Sequence, residues 1–168
     1  SFRRGQSLGF LDQQKNAYKI RWENYLNSLK TPEDLSAREL NLYRRSLYAL
    51  KVHEDKLNPG GMIASLSIPW GEGHYENAGE KVGGYHLVWP RDLFHAAHAL
   101  LLAGDRSPAE NALSFLARIQ YTERDGVWDL GPHRQIPRAG AFPQNVWVNG
   151  QSSCCALQLD QVGYPVHL

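Results

Sequence analysis

Apolar residues recur along this chain at the spacing of one helical face, and the stripes they draw are separated by gaps of two very unequal lengths. Leu11, Tyr18, Trp22, Tyr25, Leu26 and Leu29 mark a first helix over about residues 8–29. Thr31-Pro32 breaks it, because proline removes a backbone donor and disfavours helical geometry in the residue before it. Ser36 and Glu39 form an S-x-x-E capping box ahead of a second helix, whose face carries Leu40, Tyr43, Leu47 and Leu50. That helix fades before Asn58-Pro59-Gly60-Gly61, and residues 57–88 read as irregular around a short β-like piece, MIASLSI. A third helix, from about Asp92 to Leu102, turns Leu93, Ala96, Ala97, Leu100 and Leu101 inward and stops at Gly104. Only a short turn follows. Ser107 is the expected cap of the fourth helix, Pro108 its first residue and Glu110 the far side of a second capping box. Ala109, Ala112, Leu113, Leu116 and Ile119 then face inward. Residues 122–150 are a second long gap, rich in Gly, Pro and Trp, and a last helix is expected from near Ser153 through QLDQVGYPVHL, as though the sequence stopped within an element.

Short turns alternating with long loops predict stacked helical hairpins whose long loops gather on one functional face. No tetratricopeptide, ankyrin or armadillo consensus is present. The 168 residues are enough to bury a real core. A formal net charge of +1 without a basic block argues against a nucleic-acid or acidic-membrane partner, and no apolar run is long enough to span a bilayer. The N-terminal SFRRGQSLGF lacks the apolar region of a signal peptide, which leaves the compartment open. The two cysteines, Cys154 and Cys155, are adjacent and read as packing rather than as a disulfide or zinc site. His95 and His98 are spaced to share a helix face, but no third ligand stands at matching spacing, so neither metal nor cofactor is expected. There is no G-x-S-x-G elbow and no phosphate loop; GEGHYEN opens no helix after a strand.

Chemistry concentrates in two aromatic stretches. Trp70, Trp89, Trp128 and Trp147 all lie in Gly/Pro-rich segments, where tryptophans line pockets more often than cores. In GGYHLVWPRDLFHAA, Asp92 as a helix cap and Arg91 paired with a surface carboxylate make one reading. In the other, the Arg91 guanidinium and Asp92 carboxylate bind adjacent hydroxyls of one sugar while Tyr85 and Trp89 wall its ring. AFPQNVWVNG adds Gln144, Asn145 and Asn149 as neutral hydrogen-bonding groups beside Trp147, or else is a loop pinned by that tryptophan in the core. Asp125-Gly126 and Asp129 read as turn residues, and Asp160 as a structural partner.

Taken together, MIASLSIPWG, GGYHLVWPRDLFHAAHALLLAGD, ENALSFLARIQ, FPQNVWVNG and LQLDQVGYP resemble the bacterial glucoamylase and glucodextranase branch of the family 15 glycoside hydrolases, over about residue 36 to the end. The resemblance implies an all-α fold, a partial (α/α)6 barrel of about four helices. Residues 1–35 would be a helical linker and residues 36–168 the N-terminal part of the catalytic domain, which is cut short. It implies inverting, exo-acting release of glucose from α-1,4-glucans, with α-1,6-glucan hydrolysis as the alternative. Arg91 and Asp92 match the pair that binds the terminal glucose, Tyr85 and Trp89 aromatics of the same subsite, and Trp147 a tryptophan beside the scissile bond. The two catalytic glutamates of the family are expected beyond Leu168, so Glu110, Glu123 and Asp160 are given no catalytic role. Relatives commonly carry Asp-Glu at Asp160-Gln161 and an aromatic-containing stretch at 152–155, so the pocket wall after Asn149 departs from the pattern. The expected partners are an α-glucan substrate and the remainder of the catalytic domain. A non-catalytic sugar-binding module and a helical scaffold for protein partners are the rival classes.

Overall fold

The computed structural model describes residues 4–66, 85–154 and 157–168. Its elements are α1 (Arg4–Ser28), α2 (Ala37–Val52), α3 (Pro90–Leu102), α4 (Ser107–Ile119), β1 (Val127–Asp129), β2 (Gln135–Pro137), β3 (Asn145–Val146), β4 (Ser152–Cys154) and α5 (Leu159–Gly163), with 3₁₀ turns at Glu123–Asp125 and Tyr164–His167. Contacts divide the chain into two units, Ser1–Tyr48 and Ala49–Leu168, and the division falls inside α2.

In the first unit the aromatic stripe of α1 works as the sequence predicts in its last turns. Trp22 packs edge-on against Tyr18 and Tyr25, and its ring lies 4.1 Å from that of Tyr48. The capping box at the start of α2 is complete: the Ser36 backbone N–H donates to the Glu39 carboxylate at 2.9 Å and the Glu39 N–H to Ser36 Oγ at 3.3 Å. Leu47 is buried. Leu11 and Tyr18, placed on the same stripe, are exposed.

The second unit is built on α3 packed against α4. Leu93, Phe94, Ala97 and Leu100 of α3 meet Ala112, Phe115, Leu116 and Ile119 of α4 in a core that also takes in Met62, Leu87, Val88 and Val146. Phe115, rather than the expected Leu113, points inward; Leu113 is 47% exposed. The third helix ends as its sequence predicts, with Gly104 at φ +94° and its N–H donated to the Leu101 carbonyl. The fourth does not begin as predicted. Arg106 holds the cap position and no side chain caps the helix, so Ser107 and Glu110 form no box; Glu110 instead lies 3.6 Å from Arg106. The Asn58–Gly61 turn presses onto α4, and a Cβ on Gly60 (φ +84°) would fall 2.1 Å from the Asn111 carbonyl oxygen. Lys51, bridging Glu54 at 2.9 Å and Asp105 at 3.3 Å, ties the end of α2 to the turn between α3 and α4.

The long gap over residues 122–150 is more regular than expected. Thr122 and Asp125 cap a 3₁₀ turn, β1 and β2 pair antiparallel through Trp128↔Ile136, and β3 pairs with β4 through Asn145↔Cys154. The helix expected from Ser153 is overturned: residues 152–154 are strand, and helix runs only over Leu159–Gly163. Pairing with β3 claims the backbone donors and acceptors that a helix would have needed. Trp70 and Cys155 lie outside the described residues.

Candidate functional site

The first turn of α3 is the centre of the site, and its capping is unusual. Trp89 occupies the cap position with extended backbone (φ −96°, ψ 128°) and offers no capping side chain, and Pro90, at the first helical position, has no N–H to satisfy. Arg91 therefore carries the first free donor of the helix, and the Oε1 of Gln161 accepts it at 2.9 Å. Asp92 sits a residue deeper and does not cap, contrary to the plainer sequence reading. Gln161 is fully buried, and its Nε2 is 3.3 Å from Gln158 Oε1.

Arg91 is held from two sides. One terminal nitrogen donates to Asp160 Oδ2 at 2.5 Å and the other to Asp92 Oδ2 at 3.0 Å. Asp160 thus pairs with another side chain, as the sequence suggests. The hydrogen bond from Arg91 holds the Asp160 carboxyl below its ordinary range, and the same bond pushes the Arg91 guanidinium up, so both are charged at neutral pH. All three side chains are 37–39% exposed. Only two guanidinium N–H groups are used, and the rest have no partner among the described residues. The ion pairs orient Arg91 without closing it off.

The aromatic wall is present in part. Tyr85 and Trp89 face each other at 6.0 Å with their planes 43° apart; Tyr85 is 45% exposed and Trp89 half-buried. Val88 bridges to Val146, which lays this segment beside β3. Trp147 follows directly and is 36% exposed in the turn closed by the Gly150 N–H on its carbonyl, but among the described ring pairs it does not stack on Tyr85 or Trp89. Trp128 belongs elsewhere: it is buried in the β1–β2 hairpin, 5.8 Å from Tyr121 and beneath the Arg138 guanidinium at 5.5 Å. Asn145 is 3% exposed and its Oδ1 finds no partner among the described residues.

Asp92 also lines a cavity of about 240 Å³ with Leu50, His53, Ile63, Ala64, His95 and Ala96. It is smaller than the pockets of drug-sized ligands, which start near ~300 Å³. The His95 ring meets Phe94 edge-on (5.2 Å) and Tyr164 at a tilt (4.7 Å), and His98 is tilted against Phe94. Among the described residues no group of three His, Cys, Asp or Glu side chains is placed to hold a metal. A shallow concavity of about 710 Å³ at the β1–β2 turn is lined by Asp129, Gly131, Pro132, His133 and Gln135, and the Asp129 carboxylate there accepts the Gly131 N–H at 3.0 Å, as a turn residue does. No helix among the described residues is long and apolar enough to cross a membrane.

Sequence reasoning reached Tyr85, Trp89, Arg91 and Asp92, which the structure brings together. It missed the part played by Gln161, whose partner lies 70 positions away and leaves no local pattern.

A charged fork and a carboxylate thus stand beside aromatic rings at the open end of the α3–α4 hairpin, and comparison with known proteins gives the class. The family model for glycosyl hydrolases family 15 matches residues 37–167. A glucoamylase of Clostridium sp. (strain G0005) is 39% identical over 157 residues, which is 94% of this chain and 19% of that protein. The crystal structure of a bacterial glucoamylase complexed with acarbose superposes with a TM-score of 0.70 at 36% identity, covering 93% of this chain and 20% of that one. The chain belongs to glycoside hydrolase family 15 and spans about a fifth of the length of these relatives. It forms part of an (α/α)6 barrel, as the resemblance implies.

Proposed function

We propose that this chain is part of an inverting, exo-acting α-glucosidase that releases glucose from the non-reducing ends of α-1,4-glucans, and that it supplies the group that grips the terminal sugar. One observation carries the reading. Arg91 and Asp92 are fixed side by side on the first turn of α3, charged, partly exposed and adjoining the Tyr85–Trp89 pair. A pyranose presents hydroxyls along its edge and C–H bonds on its faces, and this arrangement offers a complement to each. The acarbose bound by the similar glucoamylase is consistent with an oligosaccharide ligand. Residues 36–168 would be the N-terminal part of the catalytic domain, supported by a family match that begins at residue 37, with residues 1–35 as a helical linker. Trp147, on the segment beside Val88, would extend the wall toward the next sugar.

This chain binds and positions; the bond-breaking carboxyls are assigned to none of its residues. Inversion needs an acid and a base roughly 6.5–9.5 Å apart. Asp160, kept ionised by Arg91, is unsuited to donate a proton. In the full-length protein, Arg91→Ala or Asp92→Ala should lower kcat/KM on maltose by on the order of 10- to 100-fold, the worth of a charged hydrogen bond to substrate at ~1.5–3 kcal/mol. Wild-type kinetics in both variants would refute the reading. Faster hydrolysis of isomaltose than of maltose would replace α-1,4 with α-1,6 specificity.

A further inference from the structure

We infer that Asp160 and Gln161 are positioning residues for Arg91, fixing its backbone and its guanidinium before the sugar arrives; the inference rests on the proposed role of Arg91. The two act on different parts of the arginine. Gln161 accepts the Arg91 backbone N–H at 2.9 Å and so supplies, from 70 residues away, the cap that neither Trp89 nor Asp92 provides. Asp160 takes one end of the guanidinium at 2.5 Å while its other oxygen accepts the Gln161 N–H at 3.0 Å, so both of its oxygens are engaged. The clamp is itself anchored. α5 packs on α3, and the Tyr164 ring lies 5.2 Å from Phe94 and 4.7 Å from His95 on α3.

A free arginine side chain samples many rotamers and must give up that freedom to grip a ligand. Held by Asp160 on one side and Asp92 on the other, it has little left to lose, so the clamp acts as preorganisation for binding. A structural role predicts something different. An ion pair between groups 38% and 39% exposed adds little to stability, so an Asp160 that served the fold alone would lower the melting temperature slightly on its removal and leave the kinetics untouched.

The test is a mutant cycle in the full-length protein with maltose as substrate, melting temperature being measured alongside. Asp160→Ala should raise KM about tenfold with kcat within about twofold, as loss of uniform binding does, and should barely move the melting temperature. Asp160→Asn, which keeps the shape but not the charge, should fall between Asp160→Ala and wild type. The double variant Arg91→Ala/Asp160→Ala should be no worse than Arg91→Ala alone, because a positioning residue has nothing to position once the arginine is gone. Losses that simply add, or an unchanged KM in Asp160→Ala while Arg91→Ala is impaired, would overturn the positioning role and leave the binding reading intact. Wild-type kinetics in Arg91→Ala would remove both. A lowered melting temperature with unchanged KM would make the contact structural and likewise overturn the inference. Gln161→Glu keeps an acceptor at the helix start, where negative charge is favoured, and should retain KM; Gln161→Leu, of similar volume without the acceptor, should raise it.

Discussion

An arginine pinned between two carboxylates is also a source of acid sensitivity. Asp160 is held below the ordinary carboxylate range chiefly by Arg91, Glu39 by Ser36 and Asp125 by Thr122. A carboxyl depressed in the folded state adds stability that is fully present above its unfolded value, about 3.9 for Asp and 4.3 for Glu. That contribution, small for side chains this exposed, disappears as pH falls through the lower folded value, so it should be complete above about pH 5 and fade progressively below about pH 4. Asp160→Asn should flatten part of that decline in urea unfolding followed from pH 6 to pH 2; a curve parallel to wild type would show that the pair contributes nothing. At this scale much was legible in the sequence. Trp89, Arg91 and Asp92 stand together in four residues, and Tyr85 lies four residues before Trp89. What Arg91 leans on was not legible, because Asp160 and Gln161 reach it only through tertiary packing.

Two serines with the same apparent role separate local pattern from realised structure. Ser36 completes its capping box on α2, whereas Ser107 lies inside α4 and caps nothing. Ser36→Ala should cost about 1 kcal/mol in urea unfolding and Ser107→Ala under about 0.5 kcal/mol. Equal costs would contradict the assignment. Gly60→Ala should cost at least about 2 kcal/mol, because it joins a left-handed backbone to a 2.1 Å approach to the Asn111 carbonyl; a change below about 0.5 kcal/mol would mean that the turn stands off from α4. The helices α1 to α4 were readable because each is written in its own apolar stripe and its own breaker. The segment after Asn149 was not. Its strand exists only by pairing Ser152–Cys154 with β3, and periodicity within the segment carries no trace of that partner.

For the whole molecule, membership of glycoside hydrolase family 15 rests on a match that runs over residues 37–167 and on a structural likeness at 36% identity. The resemblance implies the fold class because its motifs fall on α3, α4 and the loops between elements. The core that holds them can be probed directly. Phe115→Ala, at a fully buried position in α4, should cost about 3–5 kcal/mol and loosen α3 with it; a cost near zero would mean that α3 is held by something other than α4. The central claim concerns the other end of α3, and a crystal structure of the full-length protein with acarbose tests it most directly. The account predicts the terminal ring against Trp89, its outer hydroxyls within hydrogen-bond distance of Arg91 and Asp92, and the Arg91–Asp160 contact preserved. Acarbose seated elsewhere, with Arg91 and Asp92 touching only protein, would contradict it.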